Sequence, residues 1–361
     1  MKVLALASYP IQAASTRYRV AQFVGPLAER GIELTIRPFL DAKLFESLYQ
    51  RRVITRTAFG LLKSAVMRFR DLLAVRGADV VFVQREAMIF GPPLFEWLIT
   101  RARKIPMVLD LDDATYLPYT SPTYGGLSKT LKWFSKTNDL IQWASIVTCG
   151  NRVIADYVIS QGKSAVIIPT VVDTDSFCPR AAPQKTDIPV IGWVGTHSTY
   201  QYLETVFPAL KRLAREHRFR LKIVGAGQER ITIPGVEIEN LSWTLEREIE
   251  DFQSFDIGLY PIVEDEWSVA KSGFKSVQYM ATGIPFVTSP VGACAEIGEA
   301  NATHLIAHTE DEWYVALGRL LADGNLRQRM GAAGRRHAIQ HYSVAVQADK
   351  LSEAFRAAVA Q

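Results

Sequence analysis

EDEWSVAKSGFKSVQYMATGIPFVTSPVGACAEI, residues 264–297, is the stretch on which the fold is decided. From Phe274 to Ala281 apolar residues recur at helical spacing, Gly283 and Pro285 then stop the helix, and IPFVTS at 284–289 begins a buried strand. A helix running straight into a β-branched strand is half of a parallel crossover, so the stretch predicts an α/β fold. Ahead of the helix, Lys271 and Lys275 lie four apart around a Ser-Gly turn. At that spacing both ammonium groups can point one way and neutralise a pair of phosphates, although lysines flanking a helix are usually just solvated.

The same alternation continues outward. Upstream stand VIGWVG at 190–195, LKIVG at 221–225 and DIGLYP at 256–261, each followed by helix-length sequence. Further back come VLALA at 3–7, DVVFV at 79–83, MVLDL at 107–111, SIVTC at 145–149 and AVIIP at 165–169. Between the two series lies CPRAAPQKTDIP, 178–189, whose prolines and polar residues read as a linker. At 361 residues the chain is too long for one ordinary core. The expectation is two Rossmann-like, doubly wound domains facing a cleft, with ligands at the C-terminal ends of the strands. The expected division is 1–178, 179–342, and a C-terminal helix over 343–361 that packs back on the first domain. Leu326 to Ala360 is helical in pattern, with Tyr342, Val346, Leu351 and Phe355 as an apolar stripe that would equally suit a helix packing on its own domain.

Two turns in the second half suit an anionic ligand. In WVGTHST, 193–199, Gly195 follows a strand and Thr196 and His197 precede a helix, so backbone amides can approach a diphosphate; an ordinary tight turn has the same pattern. IVGAG, 223–227, repeats this with Gly225 and Gly227. It is no dinucleotide fingerprint, because Arg230 stands where the third glycine would be, and ASYPIQAAS after the first strand offers no glycine. Those features argue against a nicotinamide-dependent dehydrogenase.

Composition narrows the class. With 48% hydrophobic and 22% charged residues the chain is globular, and three scattered cysteines, Cys149, Cys178 and Cys294, favour a reduced cytosolic setting over disulfides or a zinc site. The N-terminus MKVLALASYP reads as a first strand, not a signal peptide, and the Asn301–Thr303 sequon carries little weight. Net charge is +4, but Arg51, Arg52, Arg56, Lys63, Arg68, Arg70 and Arg76 against Asp71 make residues 51–76 a local +6, so the remainder is acidic by two. Apolar residues interleave these charges, and two readings stand: ordinary surface helices, or an amphipathic surface resting on anionic lipid at the inner membrane face. Trp133 and Phe134, among Lys129, Lys132 and Lys136, would extend the second.

IPMVLDLDDATYLP, 105–118, delivers Asp110, Asp112 and Asp113 at the tip of an apolar strand. They suit a phosphoryl-transfer nucleophile and its acid partner, ligands for a hard cation, or caps for the next segment. A phosphatase of the haloacid dehalogenase type would use Asp110 and Asp112 with magnesium. Against it, Ala114 stands where threonine or valine is expected, the motif lies past residue 100, and no later acidic pair is evident.

The run GFKSVQYMATGIPFVTSPVG, 273–292, resembles the donor-binding segment of the family-4 and group-1 glycosyltransferases of the GT-B fold. The resemblance extends over nearly the whole chain through STRYRV, LDLDDA, TCGNRVIADY, IPTVVDTDSF and WVGTHSTYQYLE, each weak alone. It implies an activated sugar donor bound by the C-terminal domain and an acceptor bound by the N-terminal one. Carried over by position, Gly195, Thr196 and His197 lie near the donor diphosphate, Gly225 and Gly227 near the nucleotide, Lys275 near phosphate or sugar, and Glu296 in the loop facing the sugar. Asp173 falls at a hinge-adjacent aspartate, and Arg17, Arg19, Asp112 and Asp113 fall on the acceptor side. Two departures matter. The family's paired glutamates align with Ala270 and Gln278, and its arginine and lysine after the first C-domain strand are replaced by THST. Gln278 still offers hydrogen bonds to ribose hydroxyls, and Lys271 with Lys275 would restore the lost positive charge.

All six histidines, His197 to His341, fall in the second half, so an inverting reaction would need Asp112 or Asp113 as base. The resemblance implies retention, with the leaving diphosphate taking the proton. The expected activity is glycosyl transfer from a nucleotide-diphosphate sugar to a saccharide or lipid-linked acceptor in glycan or polysaccharide synthesis. No cofactor, metal or nucleic acid enters this reading. Its rivals are the phosphatase, a GT-B nucleotide-sugar epimerase, and a non-catalytic sugar-binding relative.

Overall fold

The computed structural model describes residues 1–48, 54–118, 132–181 and 188–361. Arg51, Arg52, Lys129 and the middle of the expected linker, 182–187, lie outside the described residues. The chain forms two compact units, one of residues 1–171 with 344–361 and one of residues 172–343.

The first unit is built on a parallel sheet of β1 (Lys2–Ala7), β2 (Glu33–Pro38), β3 (Val80–Gln84), β4 (Met107–Leu111), β5 (Ile146–Cys149) and β6 (Ala165–Ile167). Their order is β2-β1-β3-β4-β5-β6. The three strands β3, β4 and β5 are buried at every position, as expected for a sheet covered on both faces. The helix Val344–Val359 belongs to this unit and lies against β3, β4 and β5. Phe355 meets Phe82 of β3 edge to face at 5.2 Å, and Asp349 accepts a 2.7 Å hydrogen bond from Arg30.

The long helix Ile54–Val75 is tied to this sheet by Arg68, whose side chain is buried. Its guanidinium donates to the carbonyls of Ala7 at 3.1 Å, Arg37 at 3.0 Å and Ala87 at 2.9 Å, and to Asp71 at 3.1 Å. One cation thus collects backbone acceptors from β1, β2 and the loop after β3. Burial pulls its pKa down to about 10, against the opposing pull of Asp71 and Glu96. Arg68 is therefore a fastener of the fold, and the basic run counted in the sequence loses it as a surface charge.

The second unit repeats the architecture with β7 (Val190–Val194), β8 (Arg220–Val224), β9 (Glu237–Leu241), β10 (Ile257–Tyr260), β11 (Phe286–Thr288) and β12 (His304–Ile306). The order is β12-β11-β10-β7-β8-β9, again all parallel. Trp193, Leu210, Leu221, Ile257 and Leu317 belong to its core cluster. The helix expected from the opening stretch runs from Phe274 to Ala281 and feeds β11. It starts on Gly273 in the left-handed region, φ 62°, where a side chain would be strained.

Candidate functional site

In the second unit the residues singled out from sequence gather at the C-terminal ends of β7, β8, β10 and β11. Gly195 donates from its amide to Val224 at 2.9 Å and Gly225 from its own to Leu241 at 2.8 Å, so the two turns extend the ladder side by side. A Cβ on Gly225, φ 81°, would stand 2.4 Å from the Gly195 carbonyl, and one on Gly195 would meet the Trp193 indole at 2.1 Å. These glycines are required by close packing of the turns themselves. Thr196 and His197 are exposed, and the Thr196 amide is occupied by Thr199 Oγ1 at 3.0 Å. A Cβ on Gly227 would lie 2.9 Å from that of His197, so the two loops touch. Trp243, which the sequence leaves between base pocket and core, is 37% exposed beside Gly225 and is no core residue.

Lys271 and Lys275 both rise from this edge. The Lys271 ammonium stands 5.7 Å from the Tyr202 ring centroid and that of Lys275 5.2 Å from the ring of Tyr260, at the end of β10. Burial pulls the Lys275 pKa down to about 8, and the neighbouring Lys271 charge adds to the effect. The two ammonium groups are held close enough to repel each other. Beneath them the buried Cys294 thiol, raised by burial, lies 3.6 Å from the Tyr260 hydroxyl and from the Lys271 carbonyl.

Gln278 is buried on the helix Phe274–Ala281, and its amide nitrogen donates to Glu248 Oε1 at 3.4 Å. Glu248, also buried, opens the helix Glu248–Gln253. A carboxylate therefore does stand next to position 278, supplied from thirty residues away. Sequence reasoning missed it because LEREIED reads as a solvated helix start. Ala270, at the other glutamate position, is a buried alanine with no substitute in the helix Ser268–Ala270. Glu296 is exposed at the end of the short helix Gly292–Glu296.

In the first unit the aspartates at the tip of β4 are held in ion pairs. Asp110 is buried and receives Arg19 Nε at 3.0 Å, a second Arg19 nitrogen, and the Thr148 hydroxyl at 2.7 Å. The remaining Arg19 nitrogen goes to the Ile168 carbonyl. Arg19, expected on the acceptor side, is buried, and all three of its guanidinium nitrogens are engaged in joining β4 to the end of β6. Asp110 is likewise enclosed, which removes it as a phosphatase nucleophile.

Asp112 is gripped by both prongs of Arg85, Nε to Oδ1 at 2.6 Å and Nη2 to Oδ2 at 2.8 Å. Burial pushes its carboxyl up, but the Arg85 guanidinium outweighs burial and holds it below the usual carboxylate range. That arrangement makes Asp112 a poor base. Arg85 itself has φ 62°, a strained geometry for a non-glycine residue, and was not singled out because nothing in FVQREA signals it. Asp113 is half-buried, 3.5 Å from Arg85, and accepts the Ala114 amide at 3.1 Å. Arg17 is half-buried, donating to the Gln12 carbonyl at 3.3 Å with its guanidinium 4.8 Å from the Tyr18 ring centroid. Among the described residues no cluster of three or more His, Cys, Asp or Glu side chains is placed to hold a metal ion.

Residues 188–323 match the family described as Glycosyl transferases group 1. A search of curated proteins finds no match. Among solved structures, the chain is similar to a glycosyltransferase from Rickettsia africae ESF-5, at 14% identity and a TM-score of 0.69 over 99% of this chain and 98% of that one. Anabaena HepE, solved in complex with UDP-glucose, is similar at 14% identity and a TM-score of 0.69 over 98% of both chains. Sucrose-phosphate synthase from Thermosynechococcus elongatus gives 13% and 0.69, again over 98% of both. At these identities the structural likeness establishes the fold, and the family match falls on the unit that gathers the two lysines and the glycine turns. Residues 188–323 thus resemble the group 1 glycosyltransferases, and the chain as a whole has the two-sheet GT-B architecture of the glycosyltransferase structures it is similar to.

Proposed function

We propose that the unit of residues 172–343 binds a nucleotide-diphosphate sugar whose diphosphate lies against Lys271 and Lys275. The carrying observation is the Lys275 ammonium, half-buried, beside a second ammonium, with its pKa pulled down to about 8. An anion bound there relieves both the burial and the repulsion. The turns at Gly195, Thr196 and His197 and at Gly225 and Gly227 flank the diphosphate. Trp243 stacks the base, Gln278 with Glu248 holds ribose hydroxyls, and Glu296 faces the sugar. The uridine nucleotides in the HepE structures and in Staphylococcus aureus TarM, solved with UDP and α-GlcNAc-glycerol, support a uridine diphosphate donor.

The reaction we propose is retaining and independent of a metal. Asp112 is occupied by Arg85 and no histidine lies before residue 197, so the leaving diphosphate is the natural acceptor of the hydroxyl proton. Two lysines supply the positive charge that stabilises its departure. On the acceptor side we keep Arg17 and Asp113, for a saccharide or lipid-linked saccharide handled at a membrane surface. Titration of UDP-glucose into the wild type and into K271A/K275A tests the donor site. Binding is expected to weaken by at least about a hundred-fold in the double variant, two charge-assisted contacts being lost. Equal affinity of the two proteins refutes it.

A further inference from the structure

We propose that the first unit docks on an anionic lipid bilayer through the outward face of the helix Ile54–Val75, continued by residues 94–104. This deepens the membrane part of the proposed function and rests on it, but not on the donor site.

Along the helix Phe59, Leu62, Val66, Phe69 and Leu73 recur at alternating steps of three and four, the spacing of a single face. That face is turned to solvent: Phe59 is 71% exposed, Leu62 63% and Leu73 68%. The opposite side carries buried Arg68 and Val75, so the helix is already anchored and its apolar stripe is left over. Phe69 meets Phe95 edge to face at 5.9 Å, which sets the short helix Leu94–Trp97 alongside. There Leu94 and Trp97 are exposed in turn. An apolar surface built from two adjoining elements and crowned by a tryptophan suits the depth where headgroups meet acyl chains.

Charge identifies the occupant. Among the described side chains of 59–76 and 94–104, every exposed ionic group is basic: Lys63, Arg70, Arg76, Arg101, Arg103 and Lys104. Both acids in these stretches are turned inward, Asp71 to Arg68 and Glu96 to the Ala87 amide at 2.8 Å. Apolar residues bordered by cations alone match an anionic bilayer. A second copy of the same face would bring like charges together. No helix among the described residues is long and apolar enough to cross a membrane, so the contact is one of lying on the surface.

The test is co-sedimentation with phosphatidylcholine vesicles, with and without about one-third phosphatidylglycerol. Binding is expected only with the anionic lipid, weakening with salt. L62E/L73E should lower it by at least about ten-fold and K63E/R70E by a similar factor. Circular dichroism and UDP-glucose titration accompany each variant. Retained helicity and donor affinity show that the lost binding belongs to this face. Wild-type protein that ignores anionic vesicles while still binding donor overturns the inference and leaves the donor reading intact. Vesicle binding unchanged in both variants also overturns it, as does a dimer in solution that L62E/L73E dissociates.

Discussion

Lys275 is the residue whose behaviour reports most directly on the donor site. Its folded pKa, about 8, lies below its ordinary 10.5, so the charged form is disfavoured in the free protein. Stability in the absence of donor should therefore rise as pH climbs from 8 towards 10.5, and urea unfolding of K275M should lack that rise. Donor affinity should run the opposite way, flat below pH 8 and falling above it as the ammonium is lost; titrations of wild type and K275M across about pH 6.5 to 9.5 check this, with the variant weak and flat. The neighbouring Gln278 offers a sharper test. Gln278→Glu restores the family's residue, yet here it would set a second carboxylate against Glu248, so it should bind donor more weakly than wild type. Adding Glu248→Gln should recover much of the loss, a coupling a double-mutant cycle measures. Lys271, Lys275 and Gln278 stand out in the sequence as candidates because they share one short run. Glu248 and Arg85 do not, because their importance comes from partners about thirty residues away that only the fold brings near.

At the scale of elements, the strands read from sequence are the inner ones together with β6, and the three that were missed, β2, β9 and β12, are all edges. An inner strand is apolar on both faces and announces itself; ELTIRP and EIENL meet water along one side and carry charges accordingly, while HLI is three residues long. The glycine turns show the reverse problem. Gly195 and Gly225 were read as room for a diphosphate, but their immediate demand is packing against Trp193 and against each other. Gly225→Ala should cost about 2 to 3 kcal/mol in urea unfolding, from the positive φ and the clash with the Gly195 carbonyl together. Arg68→Ala should cost about 3 kcal/mol or more, since it strands carbonyls of β1, β2 and the loop after β3 along with Asp71. A helix fastened this firmly from within can present an apolar outer face without collapsing onto it.

For the molecule as a whole, two parallel sheets in the expected sequence order were legible from the repeat of strand and helix-length segments. The expectation of glycosyl transfer rests on the one dense run at 264–297, which lies inside the segment that matches the group 1 glycosyltransferases. Transfer assayed with chelator should proceed undiminished, and proton NMR of the new anomeric centre should show the donor's configuration; loss of activity with chelator, or inversion, would overturn those two parts of the proposal. The helix Val344–Val359 has a consequence of another kind. Because it completes the core around Phe82, the unit begun at Met1 is left unfinished while all of 172–343 is being synthesised. The second unit has every residue it needs before the first does. The first must then wait on the ribosome with the seat of Phe355 open, which makes it the part most in need of a chaperone, and a stop codon after Ser343 should give an aggregate, not a smaller enzyme.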